Sequence, residues 1–258
     1  MHAVDLRRFD RSAALPRLGG MARPDGVAVV SERFWAFAGV DGSLREGAMP
    51  RPRGWMRRVP LLRGLARLSL SLSPLFRSDG VARRREQLLL AFAVAAPVGF
   101  AFLPHRWSLA CGLALTIGLI GWMLRGRTLA LHGAEHRAIA AAEERRLEAT
   151  WLGAAKPSRF ASRCGTNFAA LVLPVGALLE RAWPFPPTFY ASTAVVVLSV
   201  AVTMELWLAI ERSTRRLARL FLVPGLALQR LTTREPDLTQ TRVALRAVES
   251  VLRRELAT

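Results

Sequence analysis

The stretch QLLLAFAVAAPVGFAFLP, residues 87–104, carries no charged side chain, and WSLACGLALTIGLIGWML, residues 107–124, is equally free of charge. Each stretch has 18 residues, close to the ~20 apolar residues with which an α-helix crosses the hydrocarbon core of a bilayer. Only His105 and Arg106 separate the two stretches. Together they predict a helical hairpin that passes through a membrane and returns.

Two further apolar stretches follow later in the chain. Residues 165–179 form a shorter uncharged run, and residues 184–210 form a long run in which Glu205 is the single charge. Four such stretches predict a mainly α-helical fold, an integral membrane helical bundle of about four spans.

The composition excludes several classes of protein. The chain has 258 residues, of which 52% are apolar, with a mean hydropathy of +0.24 and a net charge of +18. A disordered chain has low hydrophobicity, and a disulfide-rich scaffold needs more than the two cysteines present here. What remains is a basic nucleic-acid-binding protein or a membrane protein with basic loops.

The positions of the basic residues separate these two classes. If four spans alternate, 35 of the 37 basic residues lie on one side of the membrane, and only Arg106 and Arg181 lie on the other. This asymmetry is typical of cytoplasmic loops, so we expect both termini and the 125–164 segment in the cytoplasm. The basic surfaces would face anionic headgroups, which makes the lipid bilayer the expected partner. No nucleic-acid-binding module is recognisable, so we expect no nucleic-acid partner.

The N-terminal region contains a small β-unit. Residues 27–30 and 34–37 are rich in β-forming residues, and Asp41-Gly42 is a hairpin turn signal. The stretch LLRGLARLSLSL at 61–72 places arginines among leucines, which fits an amphipathic helix at the membrane interface. A helix packed on the β-unit is the alternative.

Apolar residues recur at helical spacing over 238–256, directly after the helix-start residue Asp237, and this predicts a C-terminal amphipathic helix.

We therefore divide the chain into five regions: a cytoplasmic N-terminal region with the β-unit and the interfacial helix (1–86), a transmembrane hairpin (87–124), a cytoplasmic segment (125–164), the third and fourth spans (165–210) and a cytoplasmic C-terminal region (211–258).

The segment LHGAEH at 131–136 holds two of the chain's four histidines. At about 100° per residue, His132 and His136 lie about 40° apart on a helix, and Glu135 and Glu143 fall on the same side. Imidazoles at i and i+4 can grip one metal ion, while a carboxylate serves as ligand or general base. The spacing H-x-x-E-H also occurs in inverted zinc peptidases. The alternative is an interfacial helix with a solvated polar face.

Two more residues are candidates for the same chemistry. Cys164, in the segment RCGTNF, can act as a metal thiolate or as a nucleophile, or can be a small residue at a tight turn. Glu205 lies inside the fourth apolar stretch, and a carboxylate within a bilayer is costly unless it has a partner. A metal ion or a histidine would serve, unless Glu205 reaches water at the cytoplasmic end of its helix.

The blocks LHGAEH at 131–136, RCGTNF at 163–168 and LQRLTTREPD at 228–237 together resemble the YqhQ-like family of bacterial membrane proteins. The resemblance implies a multi-pass protein of the bacterial cytoplasmic membrane, in a family of unknown function often described as predicted metal-dependent enzymes. It also implies that His132, Glu135, His136, Glu143, Cys164 and Glu205 match family positions. Ala140 and Ala161 stand where the family often has histidine, so this chain resembles a divergent member with a reduced site.

Two functions compete at this point, and a transporter is a weaker third alternative, because Glu205 is the single intramembrane charge and four spans are few. The first is a membrane-embedded metal-dependent enzyme at the cytoplasmic face, with His132, His136, Glu143, Glu135, Cys164 and Glu205 as candidate metal ligands and Glu135 and Cys164 as candidate catalytic residues. Zinc would favour hydrolysis of a lipophilic or membrane substrate, and iron would favour oxidative chemistry. The second is a non-catalytic membrane scaffold or assembly factor.

The topology is directly testable. Reporter fusions at Arg106 and Arg181 should score as external, and fusions at Ala154 and Thr258 should score as cytoplasmic, because the basic segments stay on the cytoplasmic side. An external score at Ala154 would contradict the scheme.

Overall fold

A computed structural model describes residues 6–51, 54–76, 80–100, 103–123, 125–186, 188–213, 218 and 220–257. Residues 101, 102, 124 and 187 of the predicted spans, and residues 214–217 and 219 of the predicted C-terminal region, lie outside the described residues.

The described elements are mainly helices, with one small sheet near the N-terminus. In chain order they are α1 (Arg7–Asp10), β1 (Gly19–Arg23), β2 (Gly26–Val30), β3 (Phe34–Gly39), β4 (Leu44–Ala48), a 3₁₀ turn (Gly54–Arg57), α2 (Leu62–Phe76), α3 (Arg84–Phe100), α4 (His105–Met123), α5 (Arg127–Glu143), α6 (Leu147–Trp151), α7 (Gly165–Ala182), α8 (Phe189–Arg212), α9 (Val223–Thr232) and α10 (Leu238–Leu256).

The four strands form an antiparallel meander in the order β1-β2-β3-β4. Strands β2 and β3 pair from Gly26 opposite Gly39 to Val30 opposite Trp35. The predicted turn at Asp41-Gly42 is confirmed, since the Gly39 N–H donates to the Ser43 carbonyl and the Asp41 carboxylate accepts from Ser43. The β-unit is therefore confirmed, with β1 as an additional strand that the sequence pattern did not indicate.

The two central strands, β2 and β3, are buried on both faces of the sheet, since successive residues of a strand point to opposite sides and nearly all residues of these strands are buried. Val27 and Val29 of β2 pack in a core with α5 and α10. Ala28 and Val30 pack on the other face with Trp35, Phe37 and Val81, and Leu75 of α2 lies against this second cluster. A run of consecutive apolar residues such as VAVV fits a strand without a solvent-facing side.

The main core unites three distant parts of the chain. Its buried residues come from the N-terminal region with α1 and the sheet, from α5 and α6, and from α10. Asp237 is the N-cap residue of α10, and its side chain forms a capping box with Gln240. The bounds of α10 confirm the predicted C-terminal helix. The segments that the sequence analysis divided into separate cytoplasmic regions thus fold as one unit.

Helix α5, which contains the LHGAEH block, is not the interfacial helix with a solvated polar face that was the alternative to a metal site. Its buried residues include Leu131, Ala134 and Ala138 on the core side, together with the polar side chains of Glu135, His136 and Arg137. The alternative of a solvated polar face is therefore wrong, because other segments cover this face.

The apolar stretches form helices close to the predicted bounds, but the membrane assignment is supported less fully. Among the described helices, one, over Tyr190–Arg212 in α8, is long and apolar enough to cross a bilayer, and a shorter apolar segment covers Arg106–Leu119 in α4. The expected four-span bundle is not confirmed by this finding. Helices α3 and α4 pack on each other, and α8 packs against α7 and α2.

The shared core makes a stability prediction possible. Leu252→Ala removes a fully buried side chain of α10 and should lower the free energy of unfolding by roughly 2–5 kcal/mol, because it leaves a cavity. Leu256→Ala, on the same helix but with 48% of the residue exposed, is the matched control and should change it little. Thermal or denaturant unfolding of the two variants measures the difference, and equal effects would contradict the shared core.

Candidate metal centre

Three segments that are far apart in sequence meet over the polar face of α5. They are α5 itself, the loop of residues 152–164 that leads into α7, and the end of α9 with the extended segment 233–237. The Arg234 N–H donates to the Leu129 carbonyl of α5, at 2.9 Å, and so aligns the extended segment along the helix. The LHGAEH, RCGTNF and LQRLTTREPD blocks therefore belong to one site.

His132, His136 and Cys164 form the one group of potential metal ligands in the described part of the chain, with one ligand atom of each within 4.8 Å of the others. The Cys164 Sγ lies 3.3 Å from the His132 Nε2. The two imidazole rings are edge-on, with centroids 4.4 Å apart, as expected for neighbours at i and i+4 on a helix. His136 and Cys164 are buried, and His132 is partly buried.

Backbone carbonyls fix the orientation of both imidazoles. The His132 Nδ1 lies 2.8 Å from the Thr232 carbonyl oxygen, and the His136 Nδ1 lies 2.7 Å from the Arg159 carbonyl oxygen. A carbonyl only accepts, so each Nδ1 must carry the proton, and in the neutral ring each Nε2 then has a free lone pair. Histidines that bind metals are typically held in this way through their second nitrogen.

Cys164 is placed by the start of α7. It occupies the N-cap position, and its sulfur accepts hydrogen bonds from the Thr166 N–H and the Thr166 hydroxyl. The sulfur is thus held in a fixed position at the start of α7, directed toward His132. This position suits either a metal ligand or a nucleophile.

The three side chains fit a soft or borderline transition metal. With bonds of about 2.1 Å to nitrogen and about 2.3 Å to sulfur, tetrahedral geometry separates the two ligand atoms by about 3.6 Å. The 3.3 Å between Sγ and Nε2 is near this value. Two imidazoles and one thiolate leave a fourth position open, as catalytic zinc sites do.

Glu135 is buried beside this group but points toward the sheet. A side chain on Gly20 of β1 would begin 2.7 Å from the Glu135 Oε1, so the carboxyl group lies directly against the β1 backbone, where only glycine fits. Burial raises the pKa of Glu135 to about 7, and the nearby His132 acts in the opposite direction. At neutral pH the group can therefore take up or release a proton, as a general acid or base does.

Glu143 and Glu205, the other two candidate ligands, lie outside the group. Glu143 is half-exposed and pairs with Arg163. Its angle around the helix matches that of His132, but eleven residues at 1.5 Å each separate the two by roughly 16 Å along the axis. Glu205 binds the Arg63 guanidinium of α2 and accepts from the Leu61 N–H. The partner expected for its buried charge is thus an arginine instead of a metal or a histidine.

Buried polar side chains support the site, and two of them, Arg137 and Gln229, were not predicted from the sequence as parts of it. The Arg137 guanidinium donates to the Pro157 and Pro236 carbonyls and to the Glu235 carboxylate, and so connects α5 with both covering segments. The Ala161 N–H donates to the side-chain carbonyl of Gln229 in α9, and the Gln229 amide donates to the Ala161 carbonyl. The Asn167 amide donates to the same Ala161 carbonyl. These contacts fix the loop that carries Arg159 and Cys164. A buried Gln and Asn inside otherwise apolar helices were the available signal.

Gly133, in the middle of LHGAEH, permits the close approach of the covering segment. A Cβ atom at this position would lie 2.2 Å from the Arg234 carbonyl oxygen. Any side chain there would push the 233–237 segment away, and with it the Thr232 carbonyl that orients His132.

The segments of this site lie within the part of the chain that a family model matches. A family model described as "Protein of unknown function (DUF1385)" matches residues 111–254. Uncharacterized protein YqhQ of Bacillus subtilis (strain 168) is 31% identical over 152 residues, which cover 55% of this chain and 47% of that protein. The match thus spans about half the length of this relative. No solved structure matches significantly.

The role of Gly133 predicts different effects of substitution at Gly133, in the LHGAEH block, and at Gly165, in the RCGTNF block. Gly133→Ala should lower the free energy of unfolding by about 1–3 kcal/mol, since overpacking forces the backbone apart. Gly165→Ala is the control, because open space surrounds that position. Thermal unfolding measures both variants, and an unchanged midpoint for Gly133→Ala would contradict the close contact.

Proposed function

The chain belongs to the DUF1385 family, as a divergent YqhQ-like member, and from that premise we propose that it is a metal-dependent enzyme of the cytoplasmic membrane face. His132, His136 and Cys164 hold one zinc or iron ion, and Glu135 transfers protons beside it. The substrate is a lipophilic molecule or a membrane component.

One observation carries this proposal. Each histidine donates its Nδ1–H to a carbonyl of a different segment, and the remaining nitrogen of His132 meets the Cys164 sulfur at 3.3 Å. A buried Cys beside two oriented imidazoles is a donor set without an obvious packing function, whereas it matches what a soft or borderline divalent ion requires.

The bound ion would act as a Lewis acid toward a substrate carbonyl or phosphoryl group, or as a redox centre if it is iron. The protein contributes three further elements. The carbonyls of Thr232 and Arg159 hold the imidazoles, Thr166 holds the sulfur, and Glu135 supplies a carboxyl group that exchanges a proton near neutral pH.

The shared core supports the membrane placement. Residues 6–51, α5 and α10 pack in one unit, so they lie on one side of any membrane, and the chain between them must cross an even number of times. Two helix pairs, α3 with α4 and α7 with α8, can each cross the membrane and return to the side of the core. Their exposed apolar side chains include Leu113, Ile117, Leu173 and Val196, each more than half exposed, which suits contact with lipid. Most basic residues lie in the segments on the side of this core, and segments rich in Arg and Lys typically stay on the cytoplasmic side of a membrane. We therefore expect the core in the cytoplasm.

A second candidate follows from the same contact. His132 and Cys164 at 3.3 Å, with Thr166 donating to the sulfur, also form a nucleophile–base pair without a metal. In that case His132 would take the thiol proton, and Cys164 would attack an electrophilic substrate. Metal analysis separates the two candidates.

The metal proposal predicts which variants lose the ion. Protein purified in detergent without chelators should contain about one zinc or iron per chain, and His132→Ala, His136→Ala and Cys164→Ser should each lose most of it. Glu143→Gln, Glu205→Gln and Cys111→Ser are the matched controls and should retain it, because their side chains lie elsewhere. Glu135→Gln should also retain most of the ion. Elemental analysis measures all variants.

Three results would contradict the proposal. Loss of the ion in Glu205→Gln with retention in Cys164→Ser would place the ligands elsewhere. A metal-free wild-type protein whose Cys164 is alkylated much faster than Cys111, in a manner that depends on His132, would replace the metal centre by a thiol nucleophile. A metal-free protein without such reactivity would favour a scaffold.

A further inference from the structure

A cavity of about 360 Å³ lies between the end of the sheet, α2 and the last residue of α8. One face of α2 forms its longest wall, since five of its residues recur at helical spacing there: Arg63, Ala66, Arg67, Leu70 and Ser71. The ends of β2 and β4 and the 3₁₀ turn supply the opposite wall. The volume is within the range of small-ligand sites.

The cavity is basic. Arg63, Arg67 and Arg212 line it, against a single acidic residue, Glu32. Glu205 binds the Arg63 guanidinium from the α8 side, so this arginine is held in place. Glu211 lies near Arg67 and Arg212 and offsets part of their positive charge. In the described part of the chain, no hydrogen bond or ion pair engages the guanidinium groups of these two arginines, so their N–H donors can meet an anion.

The remainder of the lining is apolar, with Val30, Met49, Met56 and Leu70. This combination suits a ligand with a charged head and a short apolar part. Guanidinium groups bind phosphate through paired hydrogen bonds more readily than other cations do.

The position of the cavity indicates where such a ligand comes from. Arg212 is the last residue of the span candidate Tyr190–Arg212, so the cavity lies at the level where that helix leaves the bilayer. Basic pockets at the cytoplasmic ends of membrane helices meet the phosphates of anionic lipids.

We propose that this cavity binds the phosphate of an anionic phospholipid headgroup, with Arg67 and Arg212 as its ligands. The inference rests on the membrane placement proposed above and not on the metal centre. Its failure is therefore distinguishable from failure of the metal proposal, which elemental analysis decides.

Native mass spectrometry of the detergent-purified full chain tests the proposal with three probes: dihexanoyl phosphatidylglycerol, dihexanoyl phosphatidylcholine and inorganic phosphate. We expect one phosphatidylglycerol to bind, at least about tenfold more tightly than either of the other two. The Arg67→Gln/Arg212→Gln double variant should weaken phosphatidylglycerol binding roughly thirtyfold, as expected for the loss of two cations near a phosphate.

The matched control is Arg84→Gln/Arg85→Gln, which removes the same charge from exposed residues at the start of α3. It should leave binding within about twofold of wild type, because only nonspecific attraction changes. Equal weakening in both double variants would reduce the effect to net charge and overturn the proposal. Phosphate binding as tight as that of phosphatidylglycerol would assign the cavity to a free anion and overturn the lipid assignment. Absence of phosphatidylglycerol binding would also overturn it.

Discussion

The burial of the polar face of α5 is the constraint on which the rest of the structure depends. A helix that carries Glu135, His136 and Arg137 in its interior-facing surface is stable only if each polar group finds a partner, since an unpaired buried charge is strongly unfavourable. The Arg159 carbonyl supplies a partner for His136, the Pro157 and Pro236 carbonyls supply partners for Arg137, and the Thr232 carbonyl pairs with the neighbouring His132. The covering segments are therefore held by the same hydrogen bonds that orient the site.

This arrangement couples folding of the core to formation of the site. Arg137 is buried, and its guanidinium reaches both covering segments and the Glu235 carboxylate. Such a group stabilises little by itself, because desolvation offsets the ion pair, but removal of a partner is costly. The network consequently favours one arrangement of the segments, the one in which His132, His136 and Cys164 converge.

The apolar helices extend from the unit that is built around the main hydrophobic core. The core gathers the N-terminal region, α5 and α10 on one side, while α3, α4, α7 and α8 expose apolar surface. Two links join these parts at the boundary: Cys164 begins α7, and the Arg63–Glu205 pair ties α8 to α2. Both the candidate metal centre and the arginine-lined cavity lie where the core and the apolar helices meet.

The sequence by itself determined the local features. Alternating and continuous apolar runs gave β2, β3 and the long helices, Asp237 marked the start of α10, and the i, i+4 spacing of His132 and His136 placed both rings on one helix face, because each signal depends on residues close together in the chain. Strand β1 escaped detection because GGMAR lacks β-forming residues and is stabilised by its pairing with β2.

Only the tertiary structure decided which residues complete the site. Cys164 reaches His132 across 32 residues, and the carbonyls that orient the imidazoles carry no side-chain signal at all. A helical wheel grouped Glu143 with the histidines because it ignores distance along the axis. Glu205 required a partner, but its identity, Arg63, was set by the packing of α2 on α8. Local spacing fixes the direction in which a side chain points, whereas the packing of distant segments fixes what that side chain meets.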